Sequence, residues 1–329
     1  MIVVTGGAGF IGSALVWRLN ELGETDILVV DDLGSDEKWR NLNGLRFRDY
    51  QEKDAFLADV QAGTLDPHPI ETLFHLGACS STTETDARYL IQNNFEYTKT
   101  LARFAVRREI RFVYASSAAT YGDGSQGYAD TEELTPALLP LNMYGYSKQL
   151  FDAWALREGL LKKLVGLKYF NVFGPNEWHK GDMRSMVCKG YEQIEAEGAI
   201  RLFKSHRPDY GDGEQERDFL YVKDAVDMTL FFHTAREPMG LFNVGTGTSR
   251  TWNDLARAIF AALERPPRIH YIDMPETLRA RYQYHTRAEP QKLRDAGYRQ
   301  PTAPLEAAVA DYVRHYLVPG RHLGGAPVG

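Results

Sequence analysis

The 329-residue chain is 43% hydrophobic and 25% charged, proportions of a folded globular protein that exclude a mostly disordered or membrane-embedded one. Its formal net charge of -6 argues against a broad basic face for nucleic acid and leaves room only for a local basic pocket around a phosphorylated ligand. The two cysteines, Cys79 and Cys188, form neither a disulfide framework nor a zinc spacing, which fits a reducing cytoplasm.

Met1 runs straight into an apolar strand pattern, with no basic leader and no apolar run of spanning length, so a cytoplasmic protein with no membrane partner is expected. The chain is long enough for one large α/β core carrying a smaller part. β-Branched and aromatic runs at residues 1–4, 27–30, 72–76, 112–115 and 165–169 are separated by helix-length stretches. That alternation predicts a Rossmann-type, doubly wound parallel sheet buried on both faces. Ile11, Leu15, Leu19 and Leu22 are spaced for a first helix over 11–22. Beyond residue 171, Gly, Pro and charged clusters interrupt the pattern. The reading is a dinucleotide-binding domain over 1–171 and a smaller, mainly substrate-binding C-terminal region over 172–318. Within the latter, a helix over 222–234 and a strand over 241–244 suggest parts that return to the core. Residues 319–329, rich in Gly and Pro, are expected to form a mobile tail.

Gly6-x-x-Gly9-x-x-Gly12 lies directly between the first strand and the first helix. Glycine permits the tight turn and the close approach of backbone N–H groups to a pyrophosphate, and the helix N-terminus favours its negative charge. The second strand ends in Asp31-Asp32, about twenty residues on, where an acid can bond the adenosine ribose. That favours NAD. Lys38, Arg40 and Lys53 follow closely and could neutralise a 2′-phosphate, which favours NADP, so the choice between the two cofactors stays open at this level.

Tyr144 and Lys148, four residues apart at the start of an expected helix, share one face. A lysine cation beside a phenol lowers the phenol pKa and makes Tyr144 a candidate base. The spacing alone is weak in a chain with 18 tyrosines. Its context is stronger, because Ser116-Ser117 follows a buried strand at the carboxyl edge where open α/β sheets bind ligands. Ser117 is chosen to bond the substrate oxygen, although spacing does not separate it from Ser116. His75 reads as a structural histidine, and Cys79 as a small buried side chain beside the nicotinamide. No cluster has metal-ligand spacing, so no metal is expected.

Glycine loop, Ser117 and Tyr144-x-x-x-Lys148 together resemble the extended short-chain dehydrogenase/reductase superfamily. Gly77-Ala78-Cys79-Ser80-Ser81-Thr82-Thr83-Glu84 and His179-Lys180-Gly181 narrow the likeness to the ADP-L-glycero-D-manno-heptose 6-epimerases, over nearly the whole chain, while Asn171-Val172-Phe173-Gly174-Pro175 is shared with many sugar-nucleotide enzymes. The resemblance implies a redox epimerase working on C6 of a nucleotide-linked heptose for lipopolysaccharide inner-core precursors. It implies one tightly held NADP or NAD per subunit and a homo-oligomer, pentamer-based. Lys180 would be the second proton-transfer group, since returning hydride to the opposite face needs acid/base help for two substrate orientations. By the same likeness Phe10, Ile11, Leu76, Gly77, Ala78, Cys79, Ser80, Asn93, Val172 and Lys180 belong to the cofactor site, with Gly6, Gly9, Gly12, Asp31, Asp32, Lys38, Lys53 and Lys148. The substrate set is Ser117, Asn171, Asp182, Lys189, Phe203, Lys204, Ser205, Arg217 and Tyr282. Asp182 and Lys189 replace an expected Ser and His, and 205–216 is longer than the family pattern, so the sugar nucleotide is the less determined part.

Elimination of water would call for an Asp-Glu pair after the active-site serine, and Ser117-Ala118-Ala119-Thr120 lacks it. A 4-epimerase could use the same Ser, Tyr and Lys; only Lys180 and its surroundings point to C6. A non-catalytic dinucleotide-binding sensor is disfavoured by the intact proton-transfer set.

Overall fold

The computed structural model describes residues 1–65, 67–279 and 282–325. The described strands are, in chain order, β1 (Ile2–Thr5), β2 (Ile27–Asp31), β3 (Asp49–Glu52), β4 (Thr72–His75), β5 (Arg111–Ser117), β6 (Leu164–Tyr169) and β7 (Asn171–Phe173). They continue with β8 (Ile200–Phe203), β9 (Glu216–Arg217), β10 (Phe219–Tyr221), β11 (Gly240–Val244), β12 (Arg250–Thr251) and β13 (Ile269–Ile272). Seven of these form one sheet in the order β3-β2-β1-β4-β5-β6-β11, and every neighbouring pair is parallel. Strand order reverses between β1 and β4, which opens a crevice at their carboxyl ends.

Alternation of side chains along the strands builds two cores. Val3, Val30, Leu73 and Phe112 face one side, and Val4, Val29, Phe74 and Val113 the other. Both sides are covered, so the strands read as continuous apolar runs rather than alternating ones. β3 was not visible in the sequence. It lies at the sheet edge with both terminal residues exposed, and an edge strand needs no apolar face.

After β6 the chain leaves the sheet and returns. β7 pairs with β10, β8 with β13 and β9 with β12 in small two-stranded sheets, while β11 joins the main sheet beside β6. The helix Val222–Thr234 packs against the first helix, Phe10–Glu21. The stretch expected to be a mobile tail packs against the body as far as residue 325: His322 is 8% and Leu323 1% exposed. Leu323 packs in the hydrophobic core and its backbone N donates to Asn176, while the His322 ring bonds Asn41; residues 326–329 of that expectation lie outside the described residues. Among the described residues no helix is long and apolar enough to cross a membrane.

Candidate active site

The glycine loop closes the crevice at β1. Gly6 adopts φ +68°, and a Cβ there would sit 2.6 Å from Gly77 at the end of β4. A Cβ on Gly12 would overlap the Gly6 carbonyl oxygen. No other residue fits these two positions. The first helix has Gly9 as its N-cap, with no side-chain cap and no acid in its first turn, so its leading N–H groups are available to an anion. The loop itself is held from below: Asp31 accepts from Ala8 N at 2.8 Å and from Lys38 at 3.2 Å. Asp31 is thereby engaged in the protein, whereas Asp32 is exposed, 3.9 Å from Lys53. Gly6, Asp31, Asp32, Lys38, Lys53, Gly77, Ala78, Cys79 and Asn93 converge on one cavity of about 120 Å³.

Behind the loop, His75 meets Thr5 Oγ1 through Nδ1 at 2.6 Å and Thr98 Oγ1 through Nε2 at 2.8 Å; because Thr98 gives its own proton to Asn94 O at 2.6 Å, Nε2 is the donor and Nδ1 the acceptor. Burial holds its pKa down to about 3, with Lys148 adding to the effect. It is a neutral, satisfied histidine, and its Thr5 partner also accepts from Gly77 N at 3.2 Å. A π-helical stretch, Ile91–Glu96, turns Asn93 to the cavity and leaves Asn94 to bond Cys79 through both its backbone groups, at 2.9 Å each. Asn94 also donates to Ser147 Oγ at 3.0 Å. No sequence signal marked Asn94, because it depends on the π-turn.

Strand alternation separates the two serines. Ser116 donates to the buried carboxylate of Asp152 at 2.6 Å, on the side away from the crevice, whereas Ser117 faces it and caps the turn Ala118–Tyr121 by accepting from Ala119 N at 3.1 Å. The helix Met143–Arg157, capped by Asn142, carries Tyr144 to the same wall. Burial raises the Tyr144 phenol above its ordinary pKa, and a hydrogen bond with Ser117 pulls it part of the way back. This is opposite to the lowering expected from the Tyr-x-x-x-Lys spacing. The physical reason is desolvation, while the Lys148 ammonium donates to Ala115 O at 2.8 Å. Lys148 is itself lowered to about 8 by burial, against the field of Asp152.

Lys180 approaches from another direction, on the short helical segment Trp178–Met183 after β7. Its ammonium lies 5.1 Å from the Phe10 ring centroid. Burial lowers its pKa, opposed by Glu177 and aided by Lys189, which brings a neutral amine closer to reach. Glu177 is fully buried. It accepts from Gly174 N at 3.4 Å, from Ser185 Oγ at 2.6 Å and from Ser185 N, pinning both ends of the loop that holds Lys180.

Ser117, Tyr144 and Lys180 line one cavity of about 630 Å³, together with Phe10, Ile11, Ser80, Asn171, Val172, Lys189, Phe203 and Tyr282. Arg217 stands beside it, 5.0 Å from the Tyr282 ring centroid and 5.6 Å from that of Trp252. Its guanidinium donates to Glu216 O at 2.8 Å and also hydrogen-bonds Tyr282. Asp218, the alternative partner, is instead filled by Thr246, Gly247 and Ala288. A buried guanidinium with ring neighbours suits a diphosphate.

Several expected residues lie off the cavity walls. Gly9, Gly12, Leu76 and Lys148 support them from the loop, the end of β4 and the helix. Asp182 is exposed and meets Lys189 through its carbonyl, at 2.9 Å. Lys204 pairs with Asp273 at 3.3 Å, and Ser205 is spent on a turn with Arg207 and Asp212. Cys79 is half-buried and lines the smaller cavity, not the larger one where Tyr144 stands; burial raises its thiol pKa.

Comparison with known proteins agrees with this geometry. Residues 2–245 match the NAD dependent epimerase/dehydratase family. The chain is 55% identical, over 96% of its length and 98% of the relative's, to an ADP-L-glycero-D-manno-heptose-6-epimerase of Nitratidesulfovibrio vulgaris. It is 47% identical to one of Fusobacterium nucleatum, over 96% of this chain and 98% of that protein. Among solved structures, the ADP-L-glycero-D-manno-heptose-6-epimerase of Helicobacter pylori superposes with a TM-score of 0.79 at 28% identity, covering 95% of each chain. The chain belongs to the NAD dependent epimerase/dehydratase family and, within it, to the ADP-L-glycero-D-manno-heptose-6-epimerases.

Proposed function

We propose that the chain converts ADP-D-glycero-D-manno-heptose to ADP-L-glycero-D-manno-heptose, for lipopolysaccharide inner-core precursors, by oxidation and re-reduction at C6. The observation that carries this reading is the pair Tyr144 and Lys180, which reach one cavity from separate elements. Two proton-transfer groups suit a carbon that must lose hydride from one face and regain it on the other. When bound, the nicotinamide ring supplies the hydride acceptor and then the donor in the same cycle. Tyr144 and Lys180 exchange the O6 proton in the two substrate orientations, Ser117 bonds O6, and Lys148 supports Tyr144. Arg217 and Lys189 supply positive charge for the diphosphate. Residues 1–171 mainly hold the dinucleotide and much of 172–318 the substrate, in a homo-oligomer.

The cofactor is NADP. Lys38 and Lys53 both line the smaller cavity, each beside one acid, Lys38 at 3.2 Å from Asp31 and Lys53 at 3.9 Å from Asp32, and Asp31 is further engaged by Ala8 N, so the two cations favour a 2′-phosphate there. Dinucleotide released by heating the purified protein should carry the 2′-phosphate when read by mass spectrometry. A protein that carries no nicotinamide dinucleotide would contradict the internal redox cycle, and one that carries only NAD would contradict the 2′-phosphate site.

A further inference from the structure

Lys180 must face the carbon that the dinucleotide held by the glycine loop oxidises, yet no strand of the main sheet joins Lys180 to that loop. Lys180 follows β7, which pairs with β10 outside the seven-stranded sheet. The connection runs instead through two buried asparagines that line neither cavity. Asn41, 1% exposed, sits on the segment Glu37–Leu42 that also carries Lys38. Its amide donates to Ala8 O in the glycine loop at 2.9 Å and to Asn176 O at 3.0 Å, and it lies 3.2 Å from His179 Nδ1 beside Lys180. Asn176, fully buried, donates to Ser13 Oγ on the first helix at 2.9 Å. The free sides of both are closed by one segment: His322 donates to Asn41 Oδ1 at 2.8 Å, and Leu323 N to Asn176 Oδ1 at 2.9 Å.

We propose that Asn41 and Asn176 are positioning residues that clasp the 174–185 loop, Asn41 to the glycine loop and Asn176 to the first helix, and so set Lys180 against the dinucleotide, with His322-Leu323 closing the clasp. This rests on the assignment of Lys180 as the second proton-transfer group. Burial makes the clasp directional, because water cannot replace the lost partners and the amides accept only this arrangement. Asn176 has φ +76°, a conformation that glycine also adopts. Asn176→Gly therefore removes the side chain without forcing the backbone.

The test is a double-mutant cycle on the holoenzyme. Asn176→Gly should lower kcat by about 10- to 100-fold, the usual scale for misplacing a catalytic group, with KM and bound dinucleotide unchanged. In the Lys180→Met background the same substitution should slow the residual turnover no further, because the group it positions is gone. His322→Ala, which removes one bond from outside the clasp, should act in the same direction and likewise lose its effect beside Lys180→Met. It keeps the proposal open to refutation should Asn176→Gly fail to fold, which circular dichroism would show. An equal slowing in both backgrounds, or an unchanged kcat in either single variant, would overturn the clasp alone. Full activity in Lys180→Met would overturn the reading of Lys180 and the clasp with it.

Discussion

Tyr144→Phe should lower kcat by about 100- to 10,000-fold, the span of general acid–base catalysis, while dinucleotide stays bound. Only the hydroxyl is removed; the ring still packs at the start of its helix. Burial raises the phenol, so at neutral pH Tyr144 holds its proton and a base role depends on help from its surroundings. The Ser117 hydrogen bond gives part of that help. The Lys148 charge is available only below about pH 8, so the activity that depends on it falls as the pH rises through that value. Steady-state kinetics on the variant, with dinucleotide content measured in parallel, check the expectation. A variant with the full wild-type kcat would remove Tyr144 from proton transfer.

Lys180→Met should be comparably severe, about 100- to 10,000-fold in kcat, because it deletes the proton-transfer group of the other substrate orientation. Its pH behaviour distinguishes this role from a purely electrostatic one. Burial lowers the Lys180 ammonium and Lys189 assists, so neutral amine accumulates at lower pH than on an exposed lysine. A rate that needs the amine rises with pH through that titration, and Lys180→Met should lose that limb of the kcat profile. If the limb survives unchanged, or if Lys180→Met raises only KM, Lys180 is a phosphate or surface cation and not a base.

The parts of this site that were legible in the sequence are those that obey a local period. β-Branched runs announced β1, β2, β4, β5 and β6 because both sheet faces are buried. The glycine loop was legible because three glycines sit between strand and helix, and Gly6 and Gly12 do occupy positions that a Cβ would block. Tyr144 and Lys148 were legible as a pair, but not the direction of the phenol shift, since a spacing of four carries no information on desolvation. Ser116 and Ser117 were indistinguishable until the strand showed which one turns to Asp152. Asn41, Asn176 and Glu177 match no motif. The bond from Asn41 to the Asn176 carbonyl spans 135 residues, so its meaning exists only in the folded chain. Composition described 319–329 as Gly- and Pro-rich and carried no sign that Asn41 and Asn176, both buried, would bond His322 and Leu323.

The most direct measurement of the central claim is NMR of ADP-D-glycero-D-manno-heptose incubated with the purified protein in D2O. Inversion at C6 with no deuterium at that carbon is predicted, because the hydrogen leaves and returns as hydride within one bound cycle. Unchanged configuration at C6, or deuterium incorporated at C6, would contradict it.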